Sequence, residues 1–115
     1  MYIGLIIYIG DVYMIKRIHD YEFESKISNI KELTLVNFFG IWDPNCSSFS
    51  PVINDVSTYY QSIFEVNVDQ NSQILSKYDI NYIPTLVLYK NGIEVDRIEG
   101  KTDKQNILKM IKENM

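Results

Sequence analysis

Val36-Asn37-Phe38-Phe39-Gly40-Ile41-Trp42-Asp43-Pro44-Asn45-Cys46, followed five residues later by Pro51, is a strand that ends, turns and launches a helix. Leu33–Phe39 (LTLVNFF) is a nearly continuous apolar run with Asn37 as its polar interruption, the pattern of a strand buried on both faces. Gly40–Trp42 turns the chain. From Asp43 to Tyr60, Phe49, Val52, Ile53, Val56 and Tyr60 recur on one helical face. Asp43 at the N-cap with Pro44 behind it is a strong helix start, and Pro51 should kink the helix. Loops at the carboxyl ends of strands form the crevice in which α/β sheets place their sites, so this junction is the candidate site. Cys46 falls in the first helical turn, where free N–H groups and the helix dipole favour a thiolate. Asp43, one turn away, opposes them through its charge.

The neighbouring segments extend the pattern in both directions. Met14–Ile18 is β-prone, and Asp20 is placed to cap a helix over Tyr21–Ser28. Ile63–Val68 alternates as a strand, and Ser72–Tyr78 reads as a short helix. Thr85–Lys90 and Ile93–Glu99 flank Asn91-Gly92 as a hairpin. Thr102 and Gln105 have the spacing of a capping box for a last helix, with Ile107, Leu108 and Ile111 facing inward. The order β-α-β-α-β-α-β-β-α predicts a parallel sheet completed by an antiparallel hairpin, with helices on both faces.

Composition narrows the function classes. The 115 residues hold one cysteine and one histidine, His19, too few for a thiolate-rich metal site or an internal disulfide. We therefore expect no metal and no cofactor. His19 reads as a surface or capping residue. The net charge of −4 supplies no basic footprint for nucleic acid and no polybasic cluster for a membrane. Residues 14–115 read as one domain. Residues 1–13 (MYIGLIIYIGDVY) form an extension whose apolar run is shorter than the about 20 residues of a membrane span. Because Met14 is a second plausible beginning, the extension is expected to be a mis-assigned start or an extra strand; its other reading is a segment for dimerisation or anchoring. A lone cysteine and no recognisable signal peptide imply a reducing, cytoplasmic setting.

Taken together, these residues resemble the thioredoxin family. Trp42, Cys46 and Pro51 match its tryptophan, its second active-site cysteine and its helix proline. Val68-Asp69-Gln70-Asn71 resembles the segment after its third strand. Ile83-Pro84-Thr85 matches the Ile-Pro-Thr that carries its cis-proline, and Lys90-Asn91-Gly92 and Gly100 match the hairpin glycines. The resemblance implies a thioredoxin fold, a central mixed sheet of four to five strands flanked by four helices. It also implies membership of the cell redox homeostasis class. A peptide-binding groove is implied at Trp42, Tyr82, Ile83, Pro84 and Gly100. The pentad Trp42-Asp43-Pro44-Asn45-Cys46 is similar, too, to the thioredoxin-like protein of the spliceosome, a relative regarded as a binding scaffold.

The departures from the family bear on chemistry. Its nucleophile is the first cysteine of Cys-x-x-Cys, and Asp43 stands at that position. Its buried acid falls on Asn37 and the accompanying lysine on Glu65. With these departures, the expectation is a monomer that binds an extended peptide or a protein partner without dithiol reductase turnover. Its alternative is a monothiol protein forming mixed disulfides or adducts through Cys46.

Overall fold

A computed structural model describes residues 15–69 and 72–115, so the expectations for residues 1–13 and for Met14 lie outside the described residues. The chain runs through β1 (Ile15–Ile18), a 3-10 turn (Asp20–Glu22), α1 (Phe23–Ser28), β2 (Thr34–Phe39) and α2 (Pro44–Ser57). It continues through β3 (Ile63–Asn67), α3 (Ser72–Lys77), β4 (Thr85–Lys90), β5 (Ile93–Glu99) and α4 (Lys104–Glu113). The five strands form one mixed sheet in the order β1-β3-β2-β4-β5. β3 lies parallel to β1 and to β2, while β4 is antiparallel to β2 and to β5. This is the expected α/β architecture.

The alternation of β2 separates two cores. Val36 and Phe38 join Phe23 and Ile27 of α1, Ile74 of α3, and Val87 and Tyr89 of β4. Leu35 faces the other way, to Phe49, Ile53 and Val56 of α2 and Ile107, Met110 and Ile111 of α4. All six residues of β2 are buried, as its run of apolar residues requires. At the hairpin, Asn91 (φ 53°) and Gly92 (φ 76°) take the left-handed conformations of a two-residue turn. A Cβ on Gly92 would come within 3.0 Å of Ser28 Cα, so the turn lies close against the end of α1.

Several boundaries differ from the sequence expectations. Asp20 does not cap α1: His19 holds the N-cap of the 3-10 turn, and its N–H donates to Glu22 Oε1 at 3.0 Å. Glu22 has the longer side chain and reaches back across the turn, which leaves α1 to begin only at Phe23. At α4 the cap is Asp103 rather than the Thr102–Gln105 box. Asp103 Oδ1 accepts from the Asn106 N–H at 2.8 Å, while Thr102 Oγ1 accepts from Asn106 Nδ2 at 3.0 Å. A carboxylate one residue nearer the helix takes the free N–H first. α2 ends at Ser57, where Ser57 and Thr58 hydroxyls donate to the Asn54 and Asp55 carbonyls. Tyr60 lies beyond the helix and donates its hydroxyl to the Leu33 carbonyl. Pro51 is contained within α2.

Candidate functional site

The site is built where β2 gives way to α2. Asp43 is the N-cap, and its carboxylate accepts from the N–H groups of Asn45 (2.8 Å) and Cys46 (3.2 Å). Pro44 occupies the first turn, where its missing N–H costs nothing. The helix therefore starts where the sequence placed it, and its first turn carries Cys46 inward. Cys46 is 6% exposed, and Gly40 donates its N–H to the Sγ at 3.3 Å.

The electrostatics of this thiol follow from its surroundings. Burial pushes the Cys46 pKa up, and it outweighs the Gly40 N–H, which pulls the other way. The charges of Asp43 and Asp69 push it up further. Of the charges, the sequence pointed to Asp43; burial contributes more than either charge, and Asp69 adds a second carboxylate.

Sequence reasoning placed Asp69 only in the segment after the third strand and missed its part in the site. Its Oδ2 accepts from the Ile41 N–H at 2.8 Å and from the Trp42 N–H at 3.4 Å, so it holds the turn that presents Trp42. Its own N–H donates to Asn67 Oδ1 at 3.1 Å. The fit is close: a Cβ on Gly40 would fall 2.6 Å from Asp69 Oδ1 and 3.1 Å from Ile83 Cδ1. Any larger residue at position 40 must displace one of the two. Asp69 lies 28 positions from Ile41, and only the parallel pairing of β2 with β3 brings them together.

The proposed groove residues divide into two sets. Gly100 donates its N–H to the Pro84 carbonyl at 2.8 Å, Ile83 approaches Gly40, and the Ile83–Pro84 bond is cis. Pro84 is buried, whereas Trp42 (86%) and Tyr82 (61%) are among the most exposed large apolar side chains. Tyr82 is fixed through its backbone, since its carbonyl accepts from Thr85 Oγ1 at 2.5 Å. His19 is exposed and stacks on Tyr21 at 5.1 Å, and it does not line the cavity that Cys46 lines.

Behind the thiol lies a cavity of about 610 Å³ that Cys46 shares with Asn37, Glu65 and Arg17. Glu65 accepts from Arg17 Nε at 3.0 Å, and the guanidinium lies over the Phe39 ring, 4.9 Å from its centre. The sequence named Asn37 and Glu65 but not Arg17, which the register of β1 on β3 sets beside Glu65. Asn37 is buried, and its Oδ1 has no hydrogen-bond partner.

The thioredoxin family model matches residues 14–113. The chain belongs to the thioredoxin family. It is 29% identical over 104 residues to the thioredoxin of Staphylococcus aureus strains Mu50 and N315, covering 88% of this chain and 98% of each relative. The crystal structure of Schistosoma mansoni thioredoxin superposes with a TM-score of 0.78 at 29% identity, covering 88% of this chain and 95% of that one. The fold is thus a thioredoxin fold in a redox family. Among the described residues, no helix is long and apolar enough to cross a membrane.

Proposed function

We propose that this thioredoxin-family chain is a peptide- or protein-binding module without dithiol reductase turnover, acting in a reducing, cytoplasmic setting. The observation that carries this reading is the pairing of a buried single thiol with an exposed aromatic rim. Cys46 is buried in the first turn of α2, while Trp42 and Tyr82 stand in solvent. Asp43, at the position of the family's nucleophile, supplies two hydrogen bonds to the helix and no sulfur. An extended peptide lying against the backbone before Pro84, between Trp42, Tyr82, Ile83 and Gly100, uses main-chain hydrogen bonds and shallow pockets, neither of which needs a nucleophile.

The rate of Cys46 alkylation as a function of pH tests this. The binding module requires a half-rate at or above about pH 8.5, the ordinary thiol value. A half-rate below pH 7 supports the second reading, a monothiol protein that forms mixed disulfides or adducts. The Gly40 N–H directed at Sγ favours that second reading, because it stabilises a thiolate. Dithiol-driven reduction of a protein disulfide by the purified chain stays at background; clear turnover overturns the proposal.

A further inference from the structure

The cavity behind Cys46 holds more polar machinery than a thiol pocket needs. At its wall, Asn37 is 6% exposed and its Oδ1 is unpartnered, an arrangement that folded proteins avoid. The space of about 610 Å³ is the size of a small-molecule site. Beside it, Glu65 receives both Nε and Nη2 of Arg17 on Oε1, at 3.0 and 2.9 Å. The Phe39 ring supports the guanidinium from below. Nη1 and Glu65 Oε2 take no part in these two contacts, which leaves a donor and an acceptor on one ion pair.

We propose that this cavity binds a small zwitterion of the amino-acid or dipeptide class, with its carboxylate on Arg17, its ammonium on Glu65 and an N–H on the Asn37 amide. Charge balance selects this class. Glu65 cancels Arg17, so a plain anion meets repulsion along with attraction, whereas a zwitterion matches both groups. Oδ1 is closed to solvent, so the occupant engages it as the amide turns about its terminal torsion, a broad two-fold rotor. Ser50 and Asn54 of α2 line the same space beside Ile53, leaving room for a short side chain of mixed character. The inference stands apart from the peptide-binding reading, since Trp42, Tyr82, Ile83, Pro84 and Gly100 do not line this cavity.

Titration of the full, nitrogen-15-labelled chain with glutamine and with glycylglycine, followed by NMR, tests it. Saturable shifts are expected at the Arg17 Nε–H and the Asn37 side-chain amide, with acetate and ethylammonium binding more weakly. Arg17→Gln and Asn37→Ala should each weaken binding by about tenfold or more, the loss of one good polar contact. Arg17 is on a partly exposed strand, so R17Q decides the matter even where N37A fails to fold. Glu65→Gln should erase the preference for glycylglycine over acetate. The absence of saturable shifts, acetate binding as tightly as glycylglycine, or unchanged affinity in R17Q overturns the proposal.

Discussion

The two faces of β2 are built from one strand and have opposite characters. On the α1 and α3 side, Phe38 meets Phe23 edge-on at 5.3 Å, and Phe23 in turn meets Tyr78 at 4.9 Å and Tyr89 at 5.7 Å. Edge-to-face rings fill space and add favourable quadrupole contacts, and the rings on this face are buried and interlocked. On the α2 side, Asn37 interrupts the apolar pattern one residue before Phe38. There the packing opens into the cavity beside Cys46. One face of β2 is thus closed by aromatic rings, while the other carries a largely aliphatic core around Leu35 and opens beside Asn37.

The largest effect that sharpens this contrast is on the aromatic face. Phe23→Ala should cost about 3–5 kcal/mol in urea denaturation, because Phe23 is fully buried among three rings. A loss below 1 kcal/mol would mean that this face is not the rigid one. Next comes the turn on the open face. Asp69→Ala removes the acceptor for Ile41 and Trp42 and should cost about 1–3 kcal/mol, with a change in Trp42 fluorescence anisotropy showing that the turn has loosened.

Removing the helix cap gives a smaller loss. Asp43→Ala should cost about 1 kcal/mol, while Asp43→Asn keeps a capping oxygen and removes only the charge. The asparagine variant should therefore hold most of its stability and alkylate faster at a given pH, since a charge that raises the Cys46 pKa has gone. Asn37→Leu reverses the usual sign for a core substitution. Replacing an amide with an unpaired oxygen should be neutral or stabilising by up to about 1 kcal/mol. A marked loss would show that the amide is satisfied in solution.

The smallest effect is on pH dependence. The folded pKa of Cys46 is raised, so the thiol's contribution to stability is fully present below the unfolded value of about 8.5 and is lost as pH rises through the folded value. Denaturation midpoints measured across that window should fall more steeply for the parent chain than for Cys46→Ala. Equal slopes would place the thiol in a solvent-like environment.

Much of this site could be read from residue order because its signals are local. Asp43-Pro44 marks the start of α2 by capping and by proline's missing donor, both properties of adjacent residues. The Asn91-Gly92 turn follows from conformations that few residues tolerate. The starts of α1 and α4 are harder to read: a 3-10 turn precedes α1, which has no side-chain cap, and Asp103 stands beside the Thr102 that the spacing favours at α4.

The sequence by itself determined the strand–turn–helix at Gly40–Cys46, the single thiol and its helical address, because these depend on periodicity, capping chemistry and a count. Tertiary structure alone decided what surrounds that sulfur. Asp69 reaches Ile41 across the parallel pairing of β2 and β3, and Arg17 meets Glu65 through the register of β1. Asn37 Oδ1 is left without a hydrogen-bond partner at the wall of a cavity that residues of α2 also line. Burial, charge and space at a site depend on distances between segments far apart in the chain, and those distances exist only once the sheet has assembled.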